Sequence, residues 1–464
     1  MGPSERPIAP MLRKKVLPVA RKEFRTTALP PGLSEIEKKY LERLEWPKGM
    51  YSYKAFQLAI SYYIDIPDVE APSDLLTDSF SHPWCQSTAH ILDLNLERNR
   101  RSMTKGSGYP HMGKKRDNIQ EAILYVEEKI KPNPILENCW SILPGYRAQK
   151  PTEPGTDPVM RFVFGIPISQ FVMSAEAIDH AITLTVESSR TLQQDITCFY
   201  YEASDLKKYV ALKYPEVDEW IGFDFTRFDT SNTASMIRKM VEYFCPSYEF
   251  KELYAEYLNR ALVIMPDREI SRDGGMPSGD KITNLGEGKN NAEVVVDILD
   301  RMGLLKYLVC IIVNGDDITI GMSTKLTSDN LEKFAHLSPF ILNTDKCTQG
   351  NYTWFSSLYS NGDIICASVF KTLNNMMFTE RSKDAISGSK EYIELQMSQQ
   401  TENIEESPFG LAVIKAIADN TSYHISSMTD DQLMDAAQFM SDNDWKYEAR
   451  SAKDIIDAAR RTKY

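Results

Sequence analysis

The chain has 464 residues, 42% of them hydrophobic, 10% aromatic and 25% charged, the make-up of an ordinary folded protein long enough to bury a large core across several subdomains. No apolar run approaches the roughly 18 residues that span a bilayer, and the start, with Pro3, Glu5 and Pro7, lacks a signal-peptide stretch. A net charge of -12 argues against a uniformly basic nucleic-acid binder, although an enclosed basic channel can coexist with an acidic exterior.

Residues 1 to about 35, rich in Pro and bases, read as an extended arm. Arg13, Lys14, Lys15, Arg21, Lys22 and Arg25 make it one of two basic stretches; the other holds Arg98, Arg100, Arg101, Lys105, Lys114, Lys115 and Arg116. A capped, charged helix is expected over Ser34 to Leu44 and another over Ile119 to Ile130. Dense Pro/Gly punctuation marks loops from Lys105 to Gly113 and from Pro144 to Pro158. The run Trp220-Ile-Gly-Phe-Asp-Phe reads as a buried strand ending on an acid, with a helix over Ala234 to Phe244 after it. A Gly-rich loop, Asp273-Gly-Gly-Met-Pro-Ser-Gly-Asp, leads into a helix from about Lys281 to Met302. Tyr307-Leu-Val-Cys-Ile-Ile-Val, the turn at Asn314-Gly315, Asp316-Asp317 and Ile318-Thr-Ile-Gly then form strand, turn and strand. From about Ser382 onward the chain is helical by period. Asp442-Asn-Asp-Trp-Lys starts like a calcium loop but fails at Tyr447 and Lys453, where that loop needs Gly and an acid.

No repeat or low-complexity tract is present, which removes solenoids and propellers. The seven cysteines, Cys85, Cys139, Cys198, Cys245, Cys310, Cys347 and Cys366, form no C-x-x-C pair. Neither a disulfide framework nor a structural zinc is expected, and a reducing cytosolic setting is. Strand, helix, helix, hairpin and helix in this order predict an α+β layer, an antiparallel sheet with helices on one face.

The adjacent carboxylates Asp316 and Asp317, at a hairpin between apolar strands, repel one another where water is scarce, and a cation relieves this. Asp224, at the end of another strand, supplies a third. Three such carboxylates suit a pair of Mg²⁺ ions, one activating an attacking hydroxyl and the other neutralising a triphosphate and its leaving group.

The ordered segments Asp224-Phe-Thr-Arg-Phe-Asp229, Pro277-Ser-Gly-Asp-Lys-Ile-Thr283-Asn284 and Asn314-Gly-Asp-Asp resemble palm motifs A, B and C of viral RNA-dependent RNA polymerases. Lys105-Gly-Ser-Gly-Tyr-Pro-His-Met-Gly-Lys-Lys-Arg is similar to fingers motif G. Arg147 through Arg161-Phe-Val-Phe-Gly-Ile-Pro is similar to motif F, and Leu342-Asn-Thr-Asp-Lys346 to motif D. Trp354-Phe-Ser-Ser-Leu, Asn361-Gly-Asp and Thr372 through Glu380-Arg381 resemble the primer-grip region of small polymerases from double-stranded RNA viruses, of the picobirnavirus and partitivirus type.

The resemblance implies a right-hand fold of fingers, palm and thumb. It gives an N-terminal arm and helical extension over 1–85, fingers over 86–220, palm over 221–244 with motif A, a fingers insertion over 245–270, palm over 271–381 with motifs B to E, and a helical thumb over 382–464. Asp224, Asp316 and Asp317 are the implied catalytic metal ligands for two Mg²⁺ ions, with Mn²⁺ able to substitute. Lys346 is the implied general acid for departing pyrophosphate. Asp229, Ser278, Thr283 and Asn284 are implied to bind the nucleotide, with Asp229 sensing the ribose 2′-hydroxyl. Arg161, Arg147 and Lys150 are implied phosphate clamps, Arg161 foremost because its planar fork matches phosphate oxygens. Ser107, Gly108, Tyr109, Pro110 and Gly279 are implied to guide the template. Many relatives place Asn where this chain has Glu287, so either Asn284 or Asn290 completes the sugar-sensing network. The implied partners are RNA template and product, ribonucleoside triphosphates and viral capsid protein; the implied setting is the host cytoplasm and the virion interior.

Overall fold

A computed structural model describes residues 4–44, 53–64, 66, 69, 71–72, 76, 81–92, 99, 102–103, 105–134, 140–148, 160–191, 196–197, 214–379, 389–421, 428–443 and 452–461. The chain opens with a short strand, β1 (Ser4–Glu5). A continuous helical stretch follows from Ala9 through a wider π turn at Leu12–Val16 into α1 (Leu17–Thr26). The extended arm expected here is therefore helix. Ala9, Leu12, Val16 and Ala20 recur every three or four residues and are wholly buried; Pro10 falls in the first turn, where a missing N–H costs nothing, and Pro18 directly follows the π turn, where the regular hydrogen-bond ladder is already interrupted. Next come α2 (Leu33–Glu42), entered through Gly32 at φ 80 rather than a side-chain cap, and α3 (Tyr53–Ser61).

Helix α4 (Lys115–Tyr125) runs on to Ile130 and leads to the hairpin of β2 (Ser141–Ala148) and β3 (Met160–Gly165), then the long α5 (Ile168–Thr191). The first part of the loop expected from Pro144 is therefore strand. Beyond Ile142, β3 is the one neighbour of β2 among the described residues, and a proline is tolerated where one edge of a strand needs no donor. The rest of that expected loop, 149–158, lies outside the described residues.

The elements that bear the candidate acids and their neighbours follow. They are β4 (Ile196–Thr197), β5 (Glu219–Phe223), one helical turn at Phe228–Ser231, α6 (Ala234–Phe244), α7 (Lys251–Arg260), β6 (Leu262–Ile264), β7 (Glu269–Ile270), α8 (Ile282–Arg301), β8 (Leu308–Asn314), β9 (Asp317–Met322) and α9 (Ser328–Leu337). After β10 (Thr348–Gly350) comes a small sheet of β11 (Thr353–Phe355), β12 (Leu358–Ser360) and β13 (Ile365–Ala367), then α10 (Val369–Met377) and β14 (Phe378–Thr379), which pairs with β1. Helices α11 (Lys390–Glu402), α12 (Gly410–Asn420), α13 (Asp430–Asn443) and α14 (Ala452–Arg461) complete the described chain.

The central sheet has the order β10-β5-β9-β8-β4, antiparallel except for the β4–β8 pair. Side chains alternate across it as the pleat requires. Ile311, Val313, Ile318 and Ile320 enter a core shared with Met236, Ile237 and Met240 of α6 and Leu285 and Val295 of α8. Ile312 faces the other way, onto Phe355 and Leu358. A second core unites Phe162 and Phe164 of β3 with α3, α4, α5 and α7. A third joins Leu12, Val16 and Leu17 to Phe370, Leu373, Val413 and Ile417, so the N-terminal helices are built into the C-terminal helical part. Arg13, from the first basic stretch, pairs with Glu5 and lies over the Phe378 ring.

Candidate active site

The acids are placed by strand register. Strands β5 and β9 pair antiparallel with Phe223 opposite Ile318. Continuing that register by one residue sets Asp224 opposite Asp317, and opposed residues of an antiparallel pair share a face. Strands β8 and β9 close with Asn314 opposite Asp317. The turn residues are thus Gly315 and Asp316, one position beyond the Asn314-Gly315 turn expected from the sequence. Gly315, at φ 61, suits the first central position of a type II′ turn. Asp316 rides on the turn tip and Asp317 opens the strand.

Asp317 is solvent-exposed at the end of β9, with protein packed closely enough around its carboxyl to weaken its hydration. Desolvation, then the charges of Asp316 and Asp224, push its carboxyl up to about 7, against opposing pulls from Lys371 and the Ser356 hydroxyl. Carboxylates that raise one another's proton affinity lack positive charge, the condition that a divalent cation meets. The donor set therefore fits Mg²⁺, a hard ion that takes oxygen ligands and keeps several waters. No three acidic, His or Cys side chains among the described residues form a closed metal cluster as they stand. Asp224 faces a different cation instead. Lys346 Nζ donates to both of its oxygens, at 2.9 and 3.2 Å. The loop bearing Lys346 is stitched to the end of β5, since Asn343 N–H donates to the Asp224 carbonyl at 2.7 Å and Thr226 N–H to Ile341 at 2.8 Å.

Helix α8 clamps the acidic hairpin. Asn284 Nδ2 donates to Asn314 Oδ1 at 2.8 Å, and Asn291 Nδ2 donates to the carbonyls of Gly315 and Asp316, both at 3.1 Å. A Cβ on Gly315 would collide with Asn284 Oδ1. Asn291 is wholly buried and carried no signal in the sequence: its partners are 24 and 25 residues away, and an Asn inside a helix is ordinary.

The loop before α8 is held against the segment after β5. Met276 N–H donates to the Asp229 carbonyl and Gly275 N–H to that of Asn232, each at 2.8 Å. Asp229 is buried beside this loop. Thr283 Oγ1 donates to Pro277 at 3.1 Å, Ser278 Oγ accepts from Phe164 N–H at 3.4 Å, and Asn290 Nδ2 donates to Asn232 Oδ1 at 3.0 Å. These groups tie the loop, α8 and β3 together, and both asparagines named for the sugar-sensing network have protein partners. Arg272, fully buried, donates to the carbonyls of Ala261, Gly274 and Gly275, fixing two glycines at φ 91 and 74. Asp280, also buried, accepts from Gln170 Nε2 at 2.8 Å, Ser174 Oγ at 2.7 Å, Tyr254 Oη at 2.6 Å and Ile282 N–H at 3.1 Å.

Other expected residues converge on the end of β3. Cβ atoms on Gly108 and on Gly279 would strike the carbonyls of Ile166 and Phe164, so both glycines are required by close approach. Tyr109 and Pro110 are exposed, whereas Ser107 is buried, its hydroxyl accepting from Asn118 Nδ2 at 2.9 Å. Arg147 and Arg161 are opposed across the β2–β3 hairpin; Lys150 lies outside the described residues, as do Glu380 and Arg381. Two further groups adjoin the acids: Ser356 Oγ donates to Asp317 Oδ2 at 3.3 Å, and Lys371 donates to Ser357 Oγ. Ser356 and Ser357, at φ 47 and 67, make the β11–β12 turn, whose positive φ brings the hydroxyls to the site.

No family model and no curated protein matches the sequence. Among solved structures, the RNA-dependent RNA polymerase of a human picobirnavirus superposes with a TM-score of 0.72 at 13% identity, over 98% of this chain and 91% of that one. The chain has the fold of a viral RNA-dependent RNA polymerase. An insertion-loop deletion mutant of the same picobirnavirus polymerase is similar over the same shares of both chains, with a TM-score of 0.68 and 13% identity.

Proposed function

We propose that this chain is an RNA-dependent RNA polymerase, joining ribonucleoside triphosphates in the order set by an RNA template. The observation that carries the reading is the register that sets Asp224 opposite Asp317 with Asp316 on the adjoining turn. The likeness of fold to a picobirnavirus polymerase supports it.

On this reading the central sheet with α6 and α8 is the palm, the β2–β3 sheet with its helices belongs to the fingers, and the C-terminal helices form the thumb. Asp224, Asp316 and Asp317 would hold two Mg²⁺ ions, with Mn²⁺ able to substitute. When bound, such ions lower the pKa of the attacking 3′-hydroxyl and neutralise the triphosphate in an in-line displacement. The chain's own groups do the rest. Lys346, beside Asp224, is placed to give a proton to the leaving pyrophosphate. Asn284 and Asn291 hold the acidic hairpin in register, and Ser356 orients Asp317. Asp229, at the junction of the 274–278 loop and the end of β5, is the sugar-sensing candidate, and Arg147 and Arg161 are the triphosphate clamps. Gly108, Tyr109, Pro110 and Gly279 line the template path, and Ser107 supports it from below. Replication and transcription of a viral RNA genome, in the host cytoplasm and within the capsid, is the biological role that goes with this chemistry.

The test is synthesis by the purified chain on a defined RNA template lacking primer, with four ribonucleotides and Mg²⁺. Template-complementary RNA is the expected product. Incorporation of deoxyribonucleotides in preference, or no product with any divalent ion and primer, overturns the reading.

A further inference from the structure

The helix α2, from the N-terminal segment, is locked beside the acids by long-range contacts. The buried Glu37 carboxylate accepts from Ser368 Oγ and Val369 N–H, both at 2.8 Å, and from Phe370 N–H at 3.2 Å, so it caps α10 from a distance. Leu33 and Ile36 pack on Tyr359 and Cys366. On the next turn, the Tyr40 ring lies 6.1 Å from that of Trp354, with the Lys371 ammonium over both.

This anchoring carries two cations into the site. Lys39 Nζ donates to the carbonyl of Asp345 at 2.9 Å, immediately before the lysine that pairs with Asp224. Arg43 is four residues further and shares that helix face. Burial, then the like charges of Arg43 and Lys346, lower the pKa of Lys39, while Asp345 and Asp224 pull it upward. Three cations thus gather where Asp224 is the carboxylate bound to Lys346. A metal ion held by Asp224 would leave Lys346 facing the departing anion, with Lys39 and Arg43 beside it.

We propose that Lys39 and Arg43, with Lys346, bind the pyrophosphate released by nucleotidyl transfer, which makes the N-terminal helix part of the active site. The inference rests on the polymerase reading above. In that reaction the 3′-hydroxyl loses its proton to solvent, its oxygen bonds to the α-phosphorus and the bond to the bridging oxygen breaks. Pyrophosphate departs with that electron pair and takes a proton from Lys346. A compact, multiply charged anion suits a rigid set of cations, and the arginine fork grips two of its oxygens.

The experiment compares the full chain with the double variant Lys39→Met/Arg43→Met and with Lys39→Arg, each checked for an unchanged melting transition. Pyrophosphate inhibition of incorporation, calorimetric titration with magnesium pyrophosphate and RNA affinity at fixed salt are the readouts. The double variant is expected to bind pyrophosphate at least about tenfold more weakly in both assays. Its RNA affinity should hold, and Lys39→Arg should keep most of the pyrophosphate affinity. Equal pyrophosphate affinity overturns the inference, and so does a loss confined to RNA binding, which would make the cluster a backbone contact. If the native chain makes no RNA yet binds pyrophosphate through these two residues, the anion site stands and the polymerase reading falls.

Discussion

The Lys346 ammonium lies 2.9 Å from a carboxylate oxygen of Asp224, so the proposed proton donor and a proposed metal ligand are paired with each other. On the proposed reading, a metal ion held by Asp224 would leave Lys346 to face the leaving group. Lys346→Met should therefore lower the rate of incorporation by about 100-fold, the usual contribution of a general acid, with little change in RNA affinity. Single-turnover incorporation at saturating nucleotide measures this; an unchanged rate would make Lys346 only a resting partner of Asp224.

Asn291 holds the carbonyls of both turn residues of the acidic hairpin. Asn291→Leu removes both bonds in a buried place and should cost about 2 kcal/mol, within the range for stranding buried polar groups. Incorporation should fall further than the folded fraction does, because Asp316 loses its support. Denaturant midpoints set beside specific activity separate the two effects.

Gly315 and Gly303 make a matched pair. Both have positive φ, at 61 and 71, but a Cβ on Gly303 meets nothing whereas one on Gly315 runs into Asn284. Gly303→Ala should cost about 1 kcal/mol for the left-handed conformation and leave synthesis intact. Gly315→Ala should abolish it. Equal loss in both would mean that the close approach of α8 to the hairpin is unimportant.

Long segments with one clear period were legible in the sequence: α6, α8 and the two strands of the acidic hairpin run close to where periodicity placed them. The candidate acids stood out because three short segments, around Asp224, Ser278 and Asp316, follow one another in the order of the resembling motifs. The N-terminal helices were missed because prolines and bases outweighed the spacing of Leu12, Val16 and Ala20. The turn was misplaced by one residue because Asn-Gly and Gly-Asp both satisfy hairpin chemistry, and only strand register decides between them. Asn291 and Lys39 had no local signature at all, since each acts on a partner far away in sequence, and Ser356 stood out only as part of the Trp354-Phe-Ser-Ser-Leu segment.

Glu37 gives stability a pH dependence of known sign. Burial, against three hydrogen-bond donors, raises its folded-state pKa to about 7, above the roughly 4.3 of an unfolded glutamate. Its contribution is full below the unfolded value. It declines as pH rises from about 4.5 to about 7, because the folded protein keeps a proton that the unfolded chain has released, with a slope of at most about 1.4 kcal/mol per pH unit. Glu37→Gln should flatten melting temperature against pH across that window; an unaltered slope would assign the dependence to other groups.

The central claim is that Asp224, Asp316 and Asp317 together grip two divalent ions beside a triphosphate. Manganese binding to the full chain, counted by electron paramagnetic resonance with a non-hydrolysable ribonucleoside triphosphate and RNA present, tests it most directly. The account predicts two ions per chain in excess of those bound by nucleotide and RNA alone, and loss of both when all three aspartates become asparagine. The same ion count in that triple variant, with its fold intact, would contradict it.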